Sequence, residues 1–71
     1  MLKDLRVRAG LKQQDVADAL NIGQSTVAMW ENGTNNPRSV ILPTLARLYR
    51  CSVEDLIDAI GEAERRKTGT E

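Results

Sequence analysis

Residues 13–33, QQDVADALNIGQSTVAMWENG, decide the fold. Val16, Ala17 and Leu20 share one face of a short helix that the spacing predicts from Gln13 to Leu20. Asn21 follows, and Asn is one of the few residues besides glycine that accept the left-handed conformation of a sharp turn. The next helix starts near Gln24 and ends near Glu31 or Asn32, with Gly33 as its terminator and Val27 and Trp30 turned inward. Small Ala17 suits the point where two steeply crossed helices touch, and Ile22 can plug the corner between them. The outward positions are then Gln24, Ser25, Thr26, Ala28 and Met29, none of them charged. A solvated helix face normally carries Lys and Glu. This one suits base edges instead: Gln offers the donor–acceptor pair that adenine needs, Ser bonds either way, and Ala or Met can touch a thymine methyl.

Outside this pair the chain reads as three more helices. The first covers about Leu2 to Ala9, with Leu2, Leu5 and Ala9 on one stripe and Gly10 just past its end. After the pair, GTNNPRS is a loop, since Gly, Asn and Pro each favour turns. A fourth helix takes Pro43 into its first turn, where the missing N–H costs nothing, and brings Leu45, Leu48 and Tyr49 to the core. Ser52 opens the fifth, SVEDLIDAIG, with Asp55 at capping-box spacing and Gly61 ending it. Strand-like alternation is absent. The expectation is an all-α domain of five helices over residues 1–61, followed by a polar, flexible tail over 62–71.

Composition narrows the function. At 71 residues the chain is one small domain, and 41% hydrophobic with 28% charged residues is a globular profile. One Cys makes no internal disulfide, and the absence of His excludes a Cys–His zinc site. No nucleophile–base pair can be assembled, so an enzyme is not expected, nor is a cofactor, a metal or a small-molecule ligand. No apolar run spans a bilayer and the charged start lacks a signal-peptide core, which predicts a cytoplasmic protein with no membrane partner. Net charge is zero, but it is segregated: Lys3, Arg6, Arg8 and Lys12 crowd the start, while Glu54, Asp55, Asp58, Glu62 and Glu64 crowd residues 51–64. One face can be basic in a neutral chain.

Taken together, these residues resemble the lambda repressor and Cro family, also called the Xre family, of helix-turn-helix proteins. The likeness lies in Gln13 at the start of the motif, Ala17, Ile22 in the turn, Gln24-Ser25 opening the recognition helix, and Trp30-Glu31-Asn32-Gly33 followed by Pro37. LRVRAGLKQ upstream and LARLYRCSVEDL downstream extend it over about residues 2 to 60. Asn21 departs from the glycine often found in that turn, and the stretch from Pro37 to Pro43 leaves the start of the fourth helix open by a few residues. Cys51 stands where the family is aliphatic and reads as core, the alternative being a redox-sensing thiol.

The resemblance implies residue roles. Gln24 and Ser25 stand at the family's base-reading positions, with Thr26 and Met29 as further candidates. Gln13 matches the residue that meets phosphate at the second helix's N-terminus and braces Gln24 from the side. Asn32, and with it Asn35, Asn36 and Arg38, would hold phosphates beyond the recognition helix, or Arg38 would enter a minor groove. Glu31 matches the glutamate that pairs with an arginine of the first helix, here Arg6. Arg65, Arg66 and Lys67 read either as a basic tail that adds DNA affinity or as a solvated end. The function implied is a sequence-specific DNA-binding regulator, a Cro-like repressor acting as a homodimer on a pseudo-palindromic operator. Leu56, Ile57 and Ile60 are the candidates for the dimer contact. The alternative is a helix-turn-helix scaffold serving as a protein-interaction module or antitoxin with little DNA binding.

Overall fold

Caps and turn residues set the helix boundaries of the computed structural model, which describes residues 1–68, with side chains through Glu62. The order is α1 (Leu2–Arg8), α2 (Gln13–Leu20), α3 (Gln24–Asn32), a 3-10 turn (Ser39–Ile41), α4 (Leu42–Tyr49) and α5 (Val53–Thr68). No strand occurs among the described residues. At the start of α2 the Asp15 carboxylate accepts the Lys12 backbone N–H at 2.8 Å, satisfying a donor the helix leaves open. Ser52 and Asp55 form the reciprocal cap of α5: Ser52 N–H donates to Asp55 Oδ2 at 3.2 Å, and Asp55 N–H to Ser52 Oγ at 3.0 Å.

Helices α1 to α4 each stop at a left-handed residue: Gly10 (φ 78°), Asn21 (φ 56°), Gly33 (φ 81°) and Arg50 (φ 55°). Behind Asn21 the chain folds back so that Ile22 N–H reaches Ala17 O at 2.9 Å, and behind Arg50 the same bond joins Cys51 N–H to Ala46 O at 2.9 Å. The sequence marks the first three of these ends. Arg50 carries no such mark.

One helix end is corrected. Gly61 does not end α5, which continues to Thr68. A glycine terminator needs a left-handed turn sealed by a following apolar contact, but Glu62 follows here, then Ala, Glu, Arg and Lys, all good helix formers. An interior glycine costs only about 1 kcal/mol relative to Ala, too little to stop such a run. Residues 62–68 therefore continue the helix backbone, and the rest of the expected tail, like the Arg65, Arg66 and Lys67 side chains, lies outside the description. Before α4, whose start the sequence left open by a few residues, a 3-10 turn carries the chain into a helix starting at Leu42, with Pro43 in its first turn as expected.

The core joins all five helices: Leu2 from α1, Val16 and Ala17 from α2, Val27 and Trp30 from α3, Leu45, Ala46 and Tyr49 from α4, and Leu56 and Ala59 from α5. Ala17 is fully buried at the crossing of α2 and α3, which lets the two backbones approach. Cys51 packs against this core, and burial, then the Asp55 charge, pushes its thiol above the usual range against a smaller opposing effect of Arg8. That keeps it a neutral packing group. Leu56 is wholly buried here, so it is spent on the fold and leaves the free surface of α5 to Ile57, which is 55% exposed, and half-buried Ile60.

Candidate nucleic-acid interface

Helices α2 and α3 are joined by Asn21, Ile22 and Gly23, a turn short enough to hold them at a fixed angle. One side of α3 is committed to the interior through Val27 and Trp30, with Trp30 only 4% exposed. Its opposite side starts at the N-terminal tip, where Gln24 and Ser25 are both exposed. Thr26 and Met29 are half-buried, so they reach the surface less fully than outward positions would.

The Gln24 carboxamide is braced: its Nε2 donates to Gln13 Oε1 at 3.3 Å. Gln13 sits at the first position of α2, so the brace links the tips of the two helices. Gln13 Nε2 in turn donates to Glu31 Oε1 at 3.0 Å, a link across eighteen residues that helical spacing cannot reveal. Glu31 is held from the other side by Arg6, whose Nε donates to Oε2 and whose Nη2 donates to Oε1 at 3.3 Å. Arg6 Nη1 donates to the Leu11 carbonyl at 2.8 Å, anchoring the guanidinium to the turn between α1 and α2. The two charged side chains are 10% and 8% exposed. A two-point pair of this kind fixes orientation as well as distance. It ties α1 rigidly to the far end of α3.

Beyond α3, Asn32 is exposed and its Oδ1 accepts both the Thr34 backbone N–H at 3.0 Å and the Thr34 hydroxyl at 2.6 Å. This side-chain turn uses the acceptor end of the carboxamide and leaves the NH2 as donor, the polarity that a phosphate oxygen requires. Gly33 takes the left-handed conformation behind it and is buried, where a side chain would be strained. Asn35, Asn36 and Arg38 are exposed and share with Thr26 and Trp30 the lining of a cavity of about 470 Å³ beside α3. Uncharged amide and hydroxyl groups at the tip of α3 and donors after its end thus lie on one stretch of chain. Among the described residues no cluster of His, Cys, Asp and Glu could hold a metal ion, and no helix is long and apolar enough to cross a membrane.

A helix-turn-helix family model matches residues 2–56. The chain is similar to the cryptic phage CTXphi transcriptional repressor RstR of Vibrio cholerae, 32% identical over 79% of this chain and 50% of that protein. It is also similar to the HTH-type transcriptional regulator ImmR of Bacillus subtilis, 30% identical over 94% of this chain and 53% of the relative. The HTH-type transcriptional regulator DdrOP3 of Deinococcus deserti is 34% identical over 83% of this chain and 46% of its own length. The chain thus spans about half the length of these relatives. No solved structure matches. On the family match and the geometry of α2 and α3, the chain belongs to the Cro/C1-type family of helix-turn-helix DNA-binding domains.

Proposed function

We propose that this chain is a sequence-specific DNA-binding transcriptional regulator, a Cro-like repressor that reads the major groove with α3 as a homodimer. The carrying observation is the exposed, braced Gln24 at the tip of a helix whose opposite face is anchored by Trp30. Gln24 and Ser25 meet base edges, with Thr26 and Met29 at the margin of the contact. Gln13, Asn32, Asn35, Asn36 and Arg38 hold phosphates, which positions the helix without reading sequence. Three relatives carry the name of transcriptional repressor or regulator, which supports the regulatory role.

One short helix reads only a few base pairs, so two copies bind half-sites about 34 Å apart on one side of a pseudo-palindromic operator. Exposed Ile57 with half-buried Ile60 on α5 supplies the contact between them.

Selection of bound duplexes from a random pool, followed by footprinting, tests the proposal. The expected result is a two-fold symmetric site whose affinity falls steeply with salt as counterions are released. Gln24→Ala should relax preference at one position of each half-site at a cost of about 1–3 kcal/mol, whereas Asn32→Ala should weaken all sequences alike. Binding that is indifferent to both sequence and salt would remove the DNA reading and leave the scaffold as a protein-interaction module.

A further inference from the structure

Between the core and the tip of α3 runs an unbroken series of hydrogen bonds: Leu11 carbonyl, Arg6, Glu31, Gln13, Gln24. A carboxamide can be turned end for end at little steric cost, so a glutamine at a base-reading position can offer two different faces. The chain of bonds removes that freedom. The Glu31 carboxylate, held by two donors of Arg6, can accept hydrogen bonds and cannot donate them. The Gln13 group 3.0 Å away must therefore be its NH2. That turns Gln13 Oε1 toward Gln24, and Gln24 must meet it with an N–H, at 3.3 Å. One N–H and the carbonyl oxygen of Gln24 remain for a duplex.

We infer that Glu31, acting through Gln13, is a positioning residue that sets the polarity of the Gln24 carboxamide and so selects adenine over guanine at the base pair Gln24 meets. This rests on the reading of α3 as the groove helix. One donor and one acceptor match adenine, which presents N7 as acceptor and N6–H2 as donor. Reversing the relay would place Gln24 Oε1 against Gln13 and turn both N–H groups outward. Two donors match guanine, which presents N7 and O6 as acceptors. The buried pair thus carries chemical information to the surface as well as joining α1 to α3.

Competition binding with duplexes varied one base pair at a time tests this, read as the ratio of affinities for adenine and guanine at each position. The ratio cancels any uniform weakening, so a fold that has merely loosened does not move it. Gln24→Ala locates the position, flattening preference there by about fivefold or more. Gln13→Leu leaves the Arg6–Glu31 pair intact and should lower the adenine-to-guanine ratio at that same position by roughly threefold or more, with other positions unchanged. Glu31→Gln, which can donate as well as accept, should shift the ratio the same way, toward guanine. If both variants keep the wild-type ratio, or flatten every position alike, the relay is overturned while base reading by Gln24 stands. If Gln24→Ala changes no position, base reading itself falls, and the relay with it.

Discussion

Arg6 and Glu31 meet across 25 residues of chain, and both side chains are nine-tenths buried. Removing one partner strands a charge where water cannot reach it, so Arg6→Ala or Glu31→Ala should each destabilise the domain by about 3–5 kcal/mol. Replacing both by apolar residues of similar size should cost much less, because desolvation of the ions is relieved along with their attraction. Urea midpoints of the two single variants and the double variant decide it. Coupling near zero would mean that the two side chains stabilise the fold independently of each other.

Trp30, at 4% exposure, is the only tryptophan and the largest side chain in the core. Trp30→Ala should cost about 3–5 kcal/mol, through lost burial and the cavity left behind. That is a large share of what a domain of this size has to spare, so the variant should be mostly unfolded near room temperature by circular dichroism. In the wild type the native indole emission should lie well to the blue of the unfolded chain.

Local chemistry is what the sequence makes legible. The bounds of α2, the left-handed Asn21, the stop at Gly33 and the Ser52–Asp55 cap all depend on residues within one turn of each other. Longer-range features are not marked. Gln13 and Glu31 lie on different helices, and only their crossing brings them together. Leu56 and Ile57 are adjacent and both apolar, yet the first is wholly buried and the second exposed, because the docking angle of α5 decides which one faces inward. Thr26 and Met29 are half-buried for the same reason: the phase of α3 against its neighbours is set by packing. The residue types at the tip of α3 are visible in the sequence, but their brace is a property of the fold.

Ile57, 55% exposed on α5, tests the dimer proposal. Ile57→Asp should leave the monomer's stability within about 0.5 kcal/mol, as surface substitutions usually do. It should lower the dimer fraction in sedimentation equilibrium and weaken operator binding, with base preference within each half-site unchanged. A wild-type dimer fraction that the substitution leaves intact would move the contact elsewhere.

Tyr49 gives the fold a defined alkaline limit. Its phenol is raised from 10.0 to about 12, first by burial and then by the Glu31 charge, with Arg6 opposing. An acid whose proton is held more tightly in the folded state ionises first in the unfolded chain. Stability from this group is therefore full below pH 10.0 and falls as pH climbs to about 12. The loss is on the order of 2–3 kcal/mol. The chain has one tyrosine, so the ultraviolet absorbance of tyrosinate in native and denatured samples reports this group alone. A native midpoint near 10 would overturn the assignment.

Arg50 and Gly10 both hold a positive φ, 55° and 78°, one with a side chain and one without. For a residue with a Cβ this region costs roughly 1–2 kcal/mol, and glycine escapes the cost. Glycine also has more freedom to lose on folding, which offsets part of the gain. Arg50→Gly should therefore stabilise the domain by about 0.5–1 kcal/mol, and Gly10→Ala should destabilise it by a similar amount. Nothing lies within 4 Å of a Cβ built on Gly10, so no clash contributes and Gly10→Ala probes the backbone alone. Denaturant midpoints should move in opposite directions at unchanged slope. If Arg50→Gly weakens the fold, the arginine side chain stabilises the end of α4 by more than its backbone costs.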